Sequence, residues 1–232
     1  MGEALLPILG RPVSPAIVST VAGQLDAVVA AFHARPLKDQ YRVLMLDGVV
    51  LARRTGPTGQ SPWAEGPHGA IRRPVLVALG LRADGKKEVI DFRLAPSKSA
   101  AEWERFLGDL IRRGLIGERL EMICVDGGSG LLAALPTAYP GVSVQRCWAH
   151  KIRNVLGKVR LADQPAVKAD LHAVINASTL PRARSAARRF ADRWQQDYPK
   201  AVACLRDDRD DLLTPACVLC PVSLARSSAG AW

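Results

Sequence analysis

One aspartate constrains this chain more than any other residue. Asp47 stands inside Tyr41-Arg-Val-Leu-Met-Leu-Asp47-Gly-Val-Val-Leu51, a strand-length run whose near-continuous apolar content suits the centre of a sheet. Burying a carboxylate there is costly unless a partner or ligand compensates it. A second carboxylate, Asp126, closes the run Leu120-Glu-Met-Ile-Cys-Val-Asp126 and is followed by Gly127-Gly128-Ser129. Ligand-binding residues of open α/β sheets collect at the carboxyl ends of strands. The chain therefore predicts a sheet with an acid inside one strand and another at the end of a second.

The segments around them supply the rest of that sheet. Residues 1–40 read as helix, with Ser14-Pro15 as cap and first turn and Ile17, Val21, Leu25, Val28, Val29 and Phe32 spaced for one buried stripe. Residues 53–73, rich in Gly, Pro, Arg and Thr, read as an excursion. Strands over 74–81 and 87–93 follow, joined through Asp84-Gly85, a hairpin signal. Ser97 or Ser99 caps a helix over 100–113, and another helix runs through Leu131, Leu132 and Leu135. A short strand at 142–144 leads into a basic helix from Cys147 to Arg160, then further helices around 172–177 and 183–194. Residues 214–232 have no period and read as an unstructured tail, which divides the chain into 1–40, 41–213 and 214–232.

Strand, hairpin, helix and strand ending in an acid is the layout of a ribonuclease-H-like α/β domain, a mixed sheet with flanking helices in which the first and fourth strands are neighbours. Two adjacent carboxylates repel, and hard divalent cations neutralise them through oxygen ligands. A pair of Mg²⁺ or Mn²⁺ ions held so would serve phosphodiester chemistry. Charge points the same way. Lys and Arg number 32 against 22 Asp and Glu, a net +10 that suits a polyanion such as DNA or RNA. Arg146, Lys151 and Arg153 are candidate phosphate contacts, and a solvated helix face is the alternative for each. The arginine-rich stretch at 182–194 carries the same two readings.

Five cysteines, an odd number spread over a chain with 48% hydrophobic residues, argue against a disulfide framework. Cys217 and Cys220 have the spacing of half a zinc site with no second pair. No run approaches the roughly 20 apolar residues of a membrane span, and the N-terminus lacks a basic region before its apolar one. A cytoplasmic protein without a membrane partner is expected.

The sequence resembles the bacterial insertion-sequence transposases of the Mutator-like family. The resemblance rests on Arg35-Pro-Leu37 with Tyr41 to Val49, on Val125-Asp-Gly-Gly128, and above all on Tyr139-Pro-Gly-Val-Ser-Val-Gln-Arg-Cys-Trp-Ala-His-Lys-Ile-Arg-Asn-Val155, and it covers roughly 10–213. It implies a DNA transposase of the DDE type, dependent on Mg²⁺ or Mn²⁺, acting on transposon ends and target DNA. By that resemblance Asp47 and Asp126 are the first two catalytic and metal-binding acids. Cys147 and His150 form the family's Cys-x-x-His element, whose role is left open between a packed pair near the active face, half a zinc site and a DNA-related element.

The family's third acid is a late glutamate after an Arg-Thr-Thr-Asn-Pro-like element, and this chain has neither; its last glutamate is Glu121. The acids Asp207, Asp208, Asp210 and Asp211 would have to approach Asp47 and Asp126 to replace it, although a solvated turn also accounts for them. The expectation is a transposase shortened at both ends and inactive. A non-enzymatic DNA-binding remnant, self-associating or pairing with an intact transposase, is the alternative.

Overall fold

The computed structural model describes residues 14–53, 71–207 and 212–213. Helix α1 (Pro15–Ala34) starts where Ser14 Oγ accepts the Ile17 amide at 3.3 Å and Pro15 fills the first turn, as its sequence predicts. Its apolar stripe does not pack as predicted. Leu25 and Val28 are 59% and 66% exposed, because among the described residues only the end of the helix meets the sheet. There Phe32 and His33 lie against Phe92, His33 Nδ1 meets Asp91 Oδ1 at 2.5 Å, and Arg113 holds the other Asp91 oxygen. Periodicity reveals an apolar face without saying what covers it.

Five strands follow with two helices between them: β1 (Tyr41–Arg53), β2 (Ile71–Arg82), β3 (Lys87–Leu94), α2 (Ala100–Arg112), β4 (Met122–Val125), α3 (Ser129–Ala138) and β5 (Ser143–Arg146). The sheet order is β3-β2-β1-β4-β5. β1 to β3 are antiparallel, whereas β4 is parallel to both β1 and β5. β1 and β4 are thus neighbours, as the order of elements predicted. Of the two alternative caps, Ser99 is the one that starts α2, its Oγ accepting the Glu102 amide. The expected excursion is shortened by longer flanking strands, and residues 54–70 lie outside the described ones.

Alternation along β1 assigns its two faces. Leu44 and Leu46 join Leu76, Ile90, Ile123 and Val125 beneath Trp103, Phe106 and Leu107 of α2 and Leu131 and Leu135 of α3. Val43 and Met45 face the other way, with Leu81 and Met122. This is a mixed α/β fold, a central sheet flanked by helices.

A second core follows from α4 (Trp148–Leu156), α5 (Gln164–Ile175), α6 (Leu180–Trp194) and α7 (Pro199–Asp207). It combines Trp148, Leu171, Phe190 and Trp194 with Ala183, Ala186, Ala187 and Ala201. Its polar ties are specific: Trp194 Nε1 donates to Asp170 Oδ2 at 2.8 Å, the Tyr198 hydroxyl to Asp163, and Lys151 Nζ to the Cys204 carbonyl at 2.9 Å. Cys217, Cys220 and the expected tail lie outside the described residues.

Candidate active site

The parallel register of β1 on β4 builds the site. Leu46 pairs with Val125, so the next residues along the two parallel strands, Asp47 inside β1 and Asp126 just past the end of β4, come at the same level on neighbouring strands. Asp47 sits on the face of Val43 and Met45, away from the large core, and its side chain is 40% exposed. That position answers the desolvation cost that made it conspicuous in the sequence. Asp126 is turned by its own backbone: Oδ1 accepts the Gly128 amide at 2.9 Å, an Asx turn that Gly127 completes at φ +89°. Its side chain is 18% exposed.

Three cationic or titratable groups surround the acids. His150, in the first turn of α4, brings Nε2 to 3.7 Å from Asp47 Oδ2. Lys98, in the turn before α2, brings Nζ to 4.0 Å from Asp126 Oδ2, and its stem lies across Gly48, where a Cβ would approach Lys98 Cε to 2.8 Å. Arg146, at the end of β5, lays its guanidinium over Gly127 in the space a side chain there would fill. Positive charge near paired carboxylates offsets their mutual repulsion. Lys98 carries no signal in the sequence. It is placed by the close approach of Gly130 in α3 to the Lys98–Ala100 backbone, a tertiary contact that only a glycine permits.

Cys147 extends β5, its amide donating to the Val125 carbonyl at 2.7 Å. The neighbouring Cys124 thiol, outweighing the opposing effect of burial and helped by the His150 amide and ring, pulls the Cys147 thiol down to about 5. The Cys-x-x-His pair thus joins the strand end to the helix that faces Asp47. Cys124, a core cysteine by pattern, is the partner that sequence reasoning missed.

The other candidates separate. Arg153 is exposed on α4, whereas Lys151 is buried with its ammonium on the Cys204 carbonyl, where it braces α4 against α7. Asp207 ends α7 in the helical region beside Lys151, Lys158 and Lys200, and Asp208, Asp210 and Asp211 lie outside the described residues. Among the described residues no three His, Cys, Asp or Glu side chains come together as a metal-binding group. Asp47 and Asp126 nonetheless fit a hard divalent ion: both offer partly exposed carboxylate oxygens, and Mg²⁺ in particular is commonly held by one or two carboxylates with water and phosphate completing the shell. No helix among the described residues is long and apolar enough to cross a membrane.

Residues 3–218 match the family model described as transposase, Mutator family. The chain is 31% identical over 205 residues to the transposase for insertion sequence element IS905 of Lactococcus lactis, an alignment covering 88% of this chain and 49% of that protein. It is 32% identical to the transposase for IS1201 of Lactobacillus helveticus, covering 92% and 54%. It is 36% identical over 220 residues to the transposase for IST2 of Acidithiobacillus ferrooxidans, covering 92% and 69%. The chain spans about half the length of the first two relatives.

Proposed function

The chain belongs to the Mutator family of transposases, and from that premise we propose that it serves transposition of an insertion element through a ribonuclease-H-like, DDE-type site on Asp47 and Asp126. The carrying observation is the β1–β4 register, which sets Asp47 within β1 and Asp126 just past β4 at the same level on adjacent strands. The proposed substrate is double-stranded DNA, at transposon ends and target, cut and joined at phosphodiester bonds. Mg²⁺ or Mn²⁺ bound by the two acids would supply Lewis-acid stabilisation of the phosphate being cut and activation of the attacking hydroxyl.

The protein side of that chemistry is positional. Asp126 is held in one orientation by the Gly128 amide, and the strand fixes the backbone position of Asp47, so the two residues are placed before a ligand arrives. His150 and Lys98 stand at the rim of the pair, and Arg146 backs the turn. Arg146 and exposed Arg153 are proposed phosphate contacts, while Lys151 acts from within, fixing the helix that carries His150. With two acids and no third among the described residues, the chain is proposed to bind metal and DNA without cleaving DNA by itself. It would then act beside an intact transposase.

The test is Mn²⁺ binding by calorimetry to the chain and to Asp47→Ala and Asp126→Ala, with nicking of supercoiled plasmid measured alongside. Metal binding lost in both variants, with nicking at background, is expected. Binding that ignores both substitutions would overturn the paired-carboxylate site, and nicking that depends on both would reveal a further acid and overturn the non-cleaving reading.

A further inference from the structure

We propose that α6 carries a second, non-catalytic DNA contact: Arg182 and Arg189 form a paired clamp for the sugar-phosphate backbone of duplex DNA. The proposal rests on the reading of this chain as a DNA-acting protein and adds a surface to it. Its basis is a repeat in the sequence that the fold turns into a stripe. Ser178-x-x-x-Arg182 recurs seven residues later as Ser185-x-x-x-Arg189. In both copies the arginine Nη1 donates to the serine hydroxyl at 2.9 Å. Seven residues are two helical turns, so the two guanidinium groups lie one above the other about 10.5 Å apart along the axis.

The partner of each arginine matters. Several other exposed arginines are neutralised by acids: Arg42 by Glu121, Arg112 by Asp109, and Arg193 on α6 itself by Asp170 at 3.0 Å. A serine hydroxyl orients Arg182 and Arg189 while leaving their charge intact and occupying one of five N–H donors. Both arginines line an open groove of about 310 Å³ between the end of α5 and α6, with Asn176 and Ser178 also in its wall, and no residue of its lining is acidic. The opposite, apolar side of α6, with Ala183, Ala187, Phe190 and Trp194, is consumed by the helical core, which fixes the stripe outward.

Oriented guanidinium groups without carboxylate partners, set among neutral hydrogen-bonding groups, suit phosphate oxygens. A repeating anion suits two of them at once, and their separation is about three nucleotides of axial rise along one DNA strand. The clamp reads no bases. Its contribution is to hold the duplex, in the sequence-independent manner of backbone contacts.

The experiment is fluorescence anisotropy of a short labelled duplex of arbitrary sequence, titrated with the full chain across a KCl series, for wild type, Arg182→Ala/Arg189→Ala and Arg193→Ala. Two lost phosphate contacts are expected to flatten the slope of log affinity against log salt by about 2 and to weaken binding on the order of tenfold at about 0.1 M salt. Arg193→Ala, on the same helix with its charge already compensated, is expected to leave the slope unchanged. Arg182→Lys/Arg189→Lys keeps both charges and is expected to restore the slope, which a loosened helix would not. An unchanged slope in the double alanine variant would overturn the clamp while leaving the Asp47–Asp126 reading intact, and an equal loss in Arg193→Ala would reduce it to general charge. Wild-type chain that binds no duplex even at low salt would overturn the clamp and the DNA reading together, and Mn²⁺ calorimetry would then report on the carboxylates alone.

Discussion

The sheet region and the helical region solve the same packing problem with different materials. Beneath the sheet, Trp103, Phe106, Leu107 and Leu110 of α2 are almost wholly buried against strands distant in sequence. Around α6, alanines at 183, 186 and 187 let helices approach closely, and a few large anchors, Phe190 and Trp194 among them, fill what is left. The first arrangement fixes strand register, and register is what aligns Asp47 with Asp126. The second fixes a helix face, and a face is what displays arginines. Geometry near a metal tolerates little error, whereas backbone electrostatics tolerates more. Each region supplies the kind of order its proposed task requires.

Truncating one large ring in each core should separate the two regions most strongly. Phe106→Ala and Phe190→Ala should each cost about 3–5 kcal/mol. Phe190→Ala is expected to lower amide-exchange protection across α5 to α7 while β1 and β4 keep theirs, and Phe106→Ala to do the reverse. Equal loss throughout in either variant would merge the two cores into one cooperative unit.

Cys147 gives a chemical measure of the sheet side. With its thiol drawn down to about 5, alkylation by iodoacetamide should stay efficient in mildly acidic solution, and Cys124→Ala should move the profile back towards that of an ordinary cysteine. The sign for stability follows: an acid depressed in the folded state contributes fully above its unfolded value, and that contribution fades as pH falls towards about 5. Urea unfolding in alkaline and acidic buffers, compared with Cys147→Ala, checks it.

The smallest effects are expected at the caps. Ser99→Ala and Thr179→Ala each remove a side-chain acceptor from a first-turn amide, that of Glu102 in α2 and Arg182 in α6, at about 1 kcal/mol each in urea unfolding. A much larger loss at Thr179 would mean that the helical region depends on its local signals more than the sheet does.

Local signals also decided what could be read in advance. Asp84-Gly85 announced the hairpin, Ser99 the start of α2 and the apolar run around Asp47 the central strand, because each is written within a few adjacent residues. The order of elements implied that β1 and β4 are neighbours. Lys98 was invisible because its place depends on Gly130, and the Cys124–Cys147 contact because it joins two strands. Lys151 looked like one more cation on a basic helix until the Cys204 carbonyl appeared beside it. Exposure of the α1 stripe was equally out of reach, since a periodic pattern is the same whether or not its face is covered.

The register that unites the carboxylates also dates them. Leu46 and Val125 are about 80 residues apart in the chain, and closing a loop of that length must precede any reward from their pairing. The hairpin of β2 and β3 and the turns of α2 can form while the fourth strand is still being synthesised, but the two acids cannot meet. A nascent chain therefore carries no assembled carboxylate pair until β4 has docked, and the metal binding proposed for that pair is withheld by chain order until the sheet is complete.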